Sequence, residues 1–174
     1  MHIKILSQAQ HDLAFCETTG ISYNIYFTGC SIRCSHCHNP ELWDEDVGTA
    51  TSIDDVVNDI KKHLELIDAV CILGGEPTDQ LEGLLSLLEA LQWMNVSIWI
   101  YTGLDFDDPK VREIHSLCDY IKCGNYEHDL ATKSRDSNES NACNESNEYK
   151  DSITGLKLAS SNQYFKRGGR IHAD

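Results

Sequence analysis

The organisation of this chain follows from one cysteine-rich segment, Gly29-Cys30-Ser31-Ile32-Arg33-Cys34-Ser35-His36-Cys37-His38-Asn39-Pro40. Cys30, Cys34 and Cys37 place three thiols within eight residues, in the spacing C-x3-C-x2-C. Thiolates bind soft metals, and so short a loop can turn all three toward one centre. An iron–sulfur cube contains four irons, so three cysteine ligands leave one iron open to a ligand that is not protein. The segment therefore predicts a site-differentiated iron–sulfur cluster.

A structural zinc site is the main alternative, with His36 or His38 as the fourth ligand. Such sites usually pair two ligands on one loop with two more on a distant loop. Here no second C-x2-C or H-x3-H follows, so the ligands would all have to lie within nine residues. A disulfide is favoured less still, because neighbouring cysteines in a tight loop rarely reach good S–S geometry.

Length and composition predict one cytoplasmic domain spanning residues 1–174. The chain has 174 residues and a hydrophobic content of 41%, enough for a single core. It contains no apolar run near the ~20 residues of a membrane span, and its N-terminus is too short and mixed for a signal peptide. In a reducing compartment the remaining cysteines are expected to be unpaired thiols, namely Cys16, Cys71, Cys118, Cys123 and Cys143. The net charge of −14 argues against binding the phosphate backbone of a nucleic acid.

Strands and helices alternate along most of the chain. Residues 22–28 form a predicted strand that runs into the cysteine loop. A fully buried apolar strand is predicted at 69–73, another strand at 96–101, and a strand plus turn at 119–126. Helices are predicted at 52–66, after Thr78, and from Pro109 to about 117, with Ser52 and Thr78 as caps. This alternation predicts the α/β class with a mostly parallel sheet. A complete eight-fold barrel takes ~250 residues, so we expect an open partial (β/α) barrel.

Candidate site residues follow the carboxyl ends of these strands, the edge where ligands bind in parallel sheets. Gly74-Gly75-Glu76-Pro77 is consistent with an ordinary turn, or with a backbone that a ligand can approach closely while Glu76 adds charge. Lys122 is either a charge near that ligand or a solvated lysine at a strand end. Cys71 is assigned to the core, and Cys123 is interpreted as a spare thiol.

These motifs resemble the radical S-adenosylmethionine (SAM) superfamily, whose cluster loop has the spacing C-x3-C-x2-C. The continuation Cys37-His38-Asn39-Pro40-Glu41-Leu42-Trp43-Asp44 is similar to the small activating proteins of anaerobic ribonucleotide reductase. Three further features agree with that family: a strand that ends in Thr102-Gly103, the K-x-G segment and a late S-N-Q segment. The resemblance implies that Cys30, Cys34 and Cys37 bind a [4Fe-4S] cluster. It also implies that Gly74 to Pro77 hold the methionine amino group of SAM, while His36, Cys37 and His38 lie at its adenine end.

The function implied by the resemblance is reductive cleavage of SAM and formation of a glycyl radical. The partners are then the large glycyl-radical subunit of anaerobic ribonucleotide reductase and an electron donor such as flavodoxin or ferredoxin. One alternative is another small radical SAM enzyme, either a different glycyl-radical activase or a deazapurine-type synthase. A non-catalytic zinc-binding module is the other.

The last part of the chain changes in composition. From about 131 to 152, Asn, Ser, Glu, Lys and Asp dominate, and such a stretch buries too little apolar area to offset the entropy of ordering. It is predicted to be a disordered insertion. Residues 166–174 are predicted to be a frayed tail.

Overall fold

One sheet organises the computed structural model, which describes residues 1–6, 13–16, 20–131, 152–154, 156 and 158–171. The order across the sheet is fourth, first, third, fifth, sixth, seventh and eighth strand, with the second strand paired to the third. In chain order the strands are β1 (His2–Ile5), β2 (Leu13–Cys16), β3 (Gly20–Phe27), β4 (Thr49–Ser52), β5 (Ala69–Gly74), β6 (Ser97–Tyr101), β7 (Tyr120–Cys123) and β8 (Tyr164–Arg167).

The centre of the sheet is parallel and its outer strands are antiparallel. Strand β3 pairs with β5, β5 with β6 and β6 with β7 in parallel register. The antiparallel pairs are β1 with β3 and with β4, β2 with β3, and β7 with β8. The end strands of this order are not neighbours, so the sheet is open. The predicted α/β class, with an open sheet built on parallel strands, is confirmed.

Three α-helices connect the parallel strands: α1 (Ile53–His63), α2 (Leu81–Leu91) and α3 (Pro109–Ile114). The predicted cap of α1 is confirmed, because Ser52 Oγ accepts a hydrogen bond from the N–H of Asp55 at 3.1 Å. The predicted cap of α2 is wrong. Thr78 lies inside a short 3-10 helix (Pro77–Gln80) that precedes α2, and its hydroxyl donates to Glu76 instead.

The two faces of the sheet have different cores. On one face, aliphatic side chains of the strands pack against the helices, as in Ile25, Ile72, Ile100, Leu84 and Leu88. The other face is covered by the C-terminal segment, whose Leu158 and Phe165 pack with Cys71 and Trp99. Cys71 is 3% exposed, so its predicted place in the core is confirmed.

The described part of the C-terminal segment, which reaches residue 171, contradicts the frayed tail predicted at 166–174, and the last three residues of that prediction lie outside the described residues. Residues 164–167 form β8, which pairs with β7. Beyond it, the buried guanidinium of Arg170 donates to the carbonyl oxygens of Val96, Met94 and Gln92 at 2.6, 2.8 and 3.1 Å. Hydrogen bonds to the end of α2 and to the loop before β6 therefore hold this segment in place. The predicted insertion at 131–152 lies outside the described residues except at its two ends.

None of the helices within the described ranges is long and apolar enough to cross a membrane.

Candidate functional site

The cysteine loop, residues 30–37, begins where β3 ends. The N–H of Gly29 donates to Leu42 O at 2.9 Å and that of Cys30 to Trp43 O at 3.2 Å, so the loop is held against the 3-10 helix Pro40–Trp43. Within the loop, Arg33 and His36 adopt positive φ angles of 49° and 58°. Non-glycine residues adopt this left-handed conformation when their surroundings fix it, and such residues concentrate at ligand sites.

The three loop cysteines form no disulfide and are partly exposed, whereas Cys71, Cys118 and Cys123 are buried. Burial raises the pKa of the Cys118 and Cys123 thiols to about 12, which keeps them in the protonated form that binds metals poorly. Burial also raises the pKa of Cys30, and nearby carboxyl groups of Glu76 and Asp79 add to that shift. The spare-thiol interpretation of Cys123 agrees with its position in the core.

The donor set fits a cluster. Within the described residues, no three His, Cys, Asp or Glu side chains are grouped tightly enough for a single metal ion. In a four-iron cluster each cysteine binds a different iron, so the thiols need not converge on one point. The buried Nε1 of Trp43, whose carbonyl accepts from Cys30 N, also lacks a partner within the described residues. Such atoms usually find partners, so it leaves hydrogen-bonding capacity for a bound group.

The Gly74-Gly75-Glu76-Pro77 sequence, here called the GGEP turn, packs backbone to backbone against the start of the cysteine loop. The N–H of Gly75 donates to Phe27 O at 2.8 Å and that of Glu76 to Gly29 O at 2.9 Å. A Cβ atom at Gly75 would lie 2.1 Å from Gly29 O, so a larger residue would force the two segments apart. This close packing is sufficient to explain glycine at position 75. Direct contact of residues 74–77 with a ligand stays a prediction.

Glu76 is 1% exposed and joins the GGEP turn to the end of β6. Its Oε1 accepts hydrogen bonds from Thr78 N at 3.1 Å and from the hydroxyls of Thr78 and Thr102, each at 2.8 Å. Its Oε2 accepts from Gly103 N at 2.8 Å. Both carboxyl oxygens therefore act as internal acceptors. The sequence suggested that Glu76 adds charge near a ligand, whereas in the structure its carboxyl group accepts four hydrogen bonds from three residues of the protein.

Gly103 brings the end of β6 to the cysteine loop. A Cβ atom at this position would lie 2.5 Å from Cδ1 of Ile32, a residue between the first two cysteines. The preceding Thr102 donates its N–H to Lys122 O at 2.9 Å, which connects the same turn to the end of β7. The turns after β3, β5, β6 and β7 are thus in contact at one edge of the sheet.

Lys122 lies at this edge, at the end of β7. Its Nζ donates to Gly124 O at 2.9 Å. Burial lowers the pKa of the Lys122 ammonium to about 8, while the carboxyl group of Glu76 and the thiol of Cys34 counteract the shift. The ammonium is therefore within electrostatic reach of both the GGEP turn and the cysteine loop. The Lys122 side chain is half-buried, and a place beside a ligand stays a prediction.

His36 and His38 are exposed and contact the chain that follows β7. The ring of His36 stacks on that of His128, with centroids 4.2 Å apart, and His38 lies 5.4 Å from the ring of Tyr126. Tyr126 and His128 were missed as neighbours of the loop. A clue to Tyr126 was present in the segment after Lys122, but nothing in the sequence indicates the stack between His36 and His128.

Residues 160–163, here called the SNQ segment, support the turn after β7. Gln163 Nε2 donates to Gly124 O at 3.2 Å and Asn162 Nδ2 donates to Asn125 O at 2.9 Å. The buried hydroxyl of Ser160 accepts from Glu127 N at 3.3 Å. The segment recognised by resemblance thus has a structural role that its sequence did not reveal.

Two open cavities lie on opposite sides of the protein. The larger, about 610 Å³, adjoins the cysteine loop and is lined by Arg33, Pro40, Glu41, Trp43, Asp44, Glu45 and Val47. The other, about 410 Å³, lies at the far edge of the sheet beside Asp119 and Arg170. The far cavity borders the anchor of the C-terminal segment, away from the three loop cysteines.

Comparison with known proteins identifies the family. A family model described as a 4Fe-4S single cluster domain matches residues 17–144. The anaerobic ribonucleoside-triphosphate reductase-activating protein of Enterobacteria phage T4 is 29% identical over 126 residues, covering 68% of this chain and 80% of that protein. The pyruvate formate-lyase-activating enzyme of Listeria monocytogenes is 39% identical over 70 residues, covering 38% of this chain and 28% of that enzyme.

Among solved structures, the crystal structure of QueE from Escherichia coli aligns with a TM-score of 0.45 and 23% sequence identity. The alignment covers 59% of this chain and 51% of that one. The chain thus spans most of the phage protein but less than a third of the Listeria enzyme. Because the family model matches well over half of the sequence, the chain belongs to the 4Fe-4S single cluster domain family and is a radical SAM enzyme with activating proteins among its relatives.

Proposed function

We propose that this chain is the activating enzyme of an anaerobic ribonucleotide reductase. It would hold a [4Fe-4S] cluster through Cys30, Cys34 and Cys37, cleave SAM reductively and generate a glycyl radical on the large subunit of the reductase. The observation that carries this proposal is the meeting of four strand-end turns at a loop with three free thiols. The match over 80% of the phage activating protein supports the choice of partner.

The cysteine loop would supply three thiolates, so one iron of a four-iron cluster would have no protein ligand and would be available to the amino and carboxylate groups of SAM. When bound and reduced, the cluster supplies the electron that breaks the S–C5′ bond of SAM. The chain contributes the position of the ligands. It does so through the fixed backbone of Arg33 and His36 and through the hydrogen bonds that hold Gly29 and Cys30 against the adjacent helix.

The GGEP turn is proposed to bind the methionine amino group through its peptide carbonyl oxygens. The carboxyl group of Glu76 is occupied by Thr78, Thr102 and Gly103, so its contribution is to fix the turn. Lys122 is proposed to place a cation beside the same pocket, opposite in charge to a carboxylate of the ligand. These two groups alone would leave the ligand open to water. The neighbouring turns must therefore close around the pocket to exclude it.

His36 and His38 are proposed to lie at the adenine end of SAM. Imidazole rings can stack on a purine, and the partner rings of Tyr126 and His128 hold both histidines at the mouth of the site. An external electron donor such as flavodoxin or ferredoxin completes the proposed reaction.

Anaerobic reconstitution with iron and sulfide tests the proposal. We expect a brown protein with about four irons per chain, and formation of 5′-deoxyadenosine after reduction in the presence of SAM. Cys34→Ala should abolish both signals, whereas Cys143→Ala, which alters a cysteine outside the loop, should retain them. Tight zinc in place of iron, or full turnover by Cys34→Ala, would contradict the proposal.

A different glycyl-radical partner is the second candidate, because the 39% identity to a pyruvate formate-lyase-activating enzyme exceeds the 29% identity to the phage protein. That match is confined to 70 residues. Incubating the reduced enzyme and SAM with each large subunit in turn, and recording the glycyl radical by EPR, distinguishes the two. The proposal expects the radical on the reductase. A radical on pyruvate formate-lyase alone would favour the second candidate.

A further inference from the structure

Asp79 connects the helical side of the site to the cysteine loop, and neither the motifs nor the proposed function gives it a role. It lies in the 3-10 helix Pro77–Gln80, directly after the GGEP turn. Its Oδ2 accepts from Ser31 N at 2.7 Å, and its Oδ1 accepts from the Ser31 hydroxyl at 2.9 Å. One carboxyl group therefore engages both donors of the residue that follows Cys30.

This pair of hydrogen bonds fixes the peptide plane and the side chain of Ser31 together. Hydrogen bonds donated to an ionised acceptor are shorter and stronger than those to a neutral one, and the 2.7 Å distance from the Ser31 N–H to Asp79 Oδ2 agrees with that. The Ser31 N–H and the Cys30 carbonyl belong to one peptide plane, so fixing the N–H also fixes that carbonyl. Because the Cys30 N–H donates to Trp43 O at 3.2 Å, the peptide units on both sides of the Cys30 Cα are held, and with them the direction of its side chain. The contact spans 48 residues of sequence.

The charge of Asp79 is only partly balanced. Lys110, near the start of α3, places its Nζ 3.5 Å from Asp79 Oδ1. The side chain of Asp79 is 23% exposed and that of Lys110 is 43% exposed, so water screens the cation more than the carboxylate. The carboxyl groups of Asp79 and Glu76 both act electrostatically at Cys30, at the start of the loop.

We propose that Asp79 is a positioning residue for the cluster, orienting Cys30 through Ser31 and lowering the reduction potential of the cluster bound there. The inference rests on the proposed cluster at Cys30, Cys34 and Cys37. Reduction adds one electron to the cluster, and a neighbouring anion stabilises the oxidised form relative to the reduced form. Lys110 offsets part of this effect. A lower potential makes the reduced cluster a stronger electron donor.

Substitution at position 79 separates geometry from charge. In Asp79→Asn the amide oxygen can accept from Ser31 N while the amide nitrogen donates to the Ser31 hydroxyl, so both contacts survive without the charge. Asp79→Ala removes contacts and charge together. Lys110→Met removes the paired cation and leaves both contacts to Ser31. Glu89→Gln, an exposed acid at the far end of α2, makes the same change in net charge and serves as the matched control.

The potential of the reconstituted cluster is measured by EPR-monitored redox titration without SAM. We expect Asp79→Asn to favour reduction about tenfold, a positive shift of about 59 mV for one electron. Lys110→Met should shift the potential in the opposite direction by less, and Glu89→Gln should leave it unchanged. An unchanged potential in Asp79→Asn with a full cluster overturns the inference. If that variant loses its cluster, an unchanged or raised potential in Lys110→Met overturns it.

Hydrogen exchange at the Ser31 amide of the metal-free protein tests the positioning role separately. Protection should persist in Asp79→Asn and be lost in Asp79→Ala, and equal protection in all variants would refute it. Failure of the wild-type chain to take up iron would refute the proposed function instead. A wild-type protein that binds four irons and cleaves SAM, with variants that show no shift, would refute only the role of Asp79.

Discussion

Glu76 and Arg170 are two buried charged residues at opposite edges of the same sheet, and they stabilise different parts of the protein. Glu76 lies at the carboxyl edge and accepts four hydrogen bonds that join the turns around the cysteine loop. Arg170 lies at the other edge and donates to backbone carbonyls at the end of α2, and to Asp119 Oδ2 at 3.1 Å. Glu76 therefore holds together the turns around the cysteine loop, whereas Arg170 holds the C-terminal segment that closes the core.

The two groups also differ in how completely they are satisfied. Both oxygens of Glu76 have protein donors, whereas Arg170 Nε is buried without a partner within the described residues. Removing one member of a buried polar network costs more than its net contribution, because the remaining groups lose their partners. Substitutions at the two positions should therefore lower the free energy of unfolding by different amounts, and they should also differ in whether they affect the site.

Glu76→Ala should have the largest effect. It leaves Thr78 N, Gly103 N and the two threonine hydroxyls without their acceptor, which we expect to lower the free energy of unfolding by about 3–4 kcal/mol. The GGEP turn and the turn after β6 should then separate, so cluster retention and SAM cleavage should fall as well. Urea unfolding of the metal-free protein and iron analysis after reconstitution measure the two losses.

Glu76→Gln is the control for this prediction, since it keeps the shape of the side chain and one acceptor oxygen. Its loss of stability should be about 1–2 kcal/mol, because the amide nitrogen cannot accept from the groups that face it. Equal stability of the wild type and Glu76→Ala would show that Glu76 does not hold the two turns together.

Arg170→Ala should have the next largest effect, a loss of about 2–3 kcal/mol in the free energy of unfolding, because it removes the donor to several backbone carbonyls and the ion pair with Asp119. Cluster content and SAM cleavage per folded molecule should stay at the wild-type level. Lys166→Ala, an exposed residue of the same segment, should change stability by less than about 0.5 kcal/mol. Loss of the cluster in folded Arg170→Ala would break the proposed division between the two edges.

Lys122 adds a cation at the Glu76 edge, and its pKa of about 8 lies below the ordinary value of 10.5. The folded protein therefore binds fewer protons than the unfolded chain between these pH values. The resulting destabilisation is fully present below pH 8 and is lost as the pH rises toward 10.5. We expect the stability of the wild type relative to Lys122→Met to rise by about 1–2 kcal/mol over this range.

Urea unfolding of the two metal-free proteins at pH 7 and pH 10 measures this difference directly. Buried thiols such as Cys118 and Cys123, whose pKa values are raised to about 12, lower stability with increasing pH in both proteins. Their contribution cancels when the two are compared. A difference that does not change with pH would mean that the ammonium of Lys122 is not buried as the structure has it.

The meeting of turns around Glu76, at the carboxyl ends of the strands, could be predicted from the sequence. The contacts of Arg170 at the opposite ends of the strands could not. Strand ends and motifs coincide at Gly75, Glu76, Gly103 and Lys122, because the carboxyl ends of parallel strands meet at one edge. Arg170 belongs to no motif, and apart from Asp119 its hydrogen-bond partners are backbone carbonyls, which every residue provides. The stack of His36 on His128 was missed for a similar reason, since no sequence spacing links two loops 92 residues apart.

Asn162 should give the smallest effect and refines the comparison, because it belongs to the same C-terminal segment as Arg170 but acts at the Glu76 edge. Asn162→Ala removes the bond to Asn125 O, which we expect to cost about 1 kcal/mol. Ser161→Ala, its exposed neighbour, should be neutral. If Asn162→Ala weakens SAM binding to the reconstituted enzyme while Arg170→Ala does not, the segment contributes to the site through the SNQ contacts. Equal SAM affinity in both variants would mean that the C-terminal segment only closes the core and does not contribute to the site.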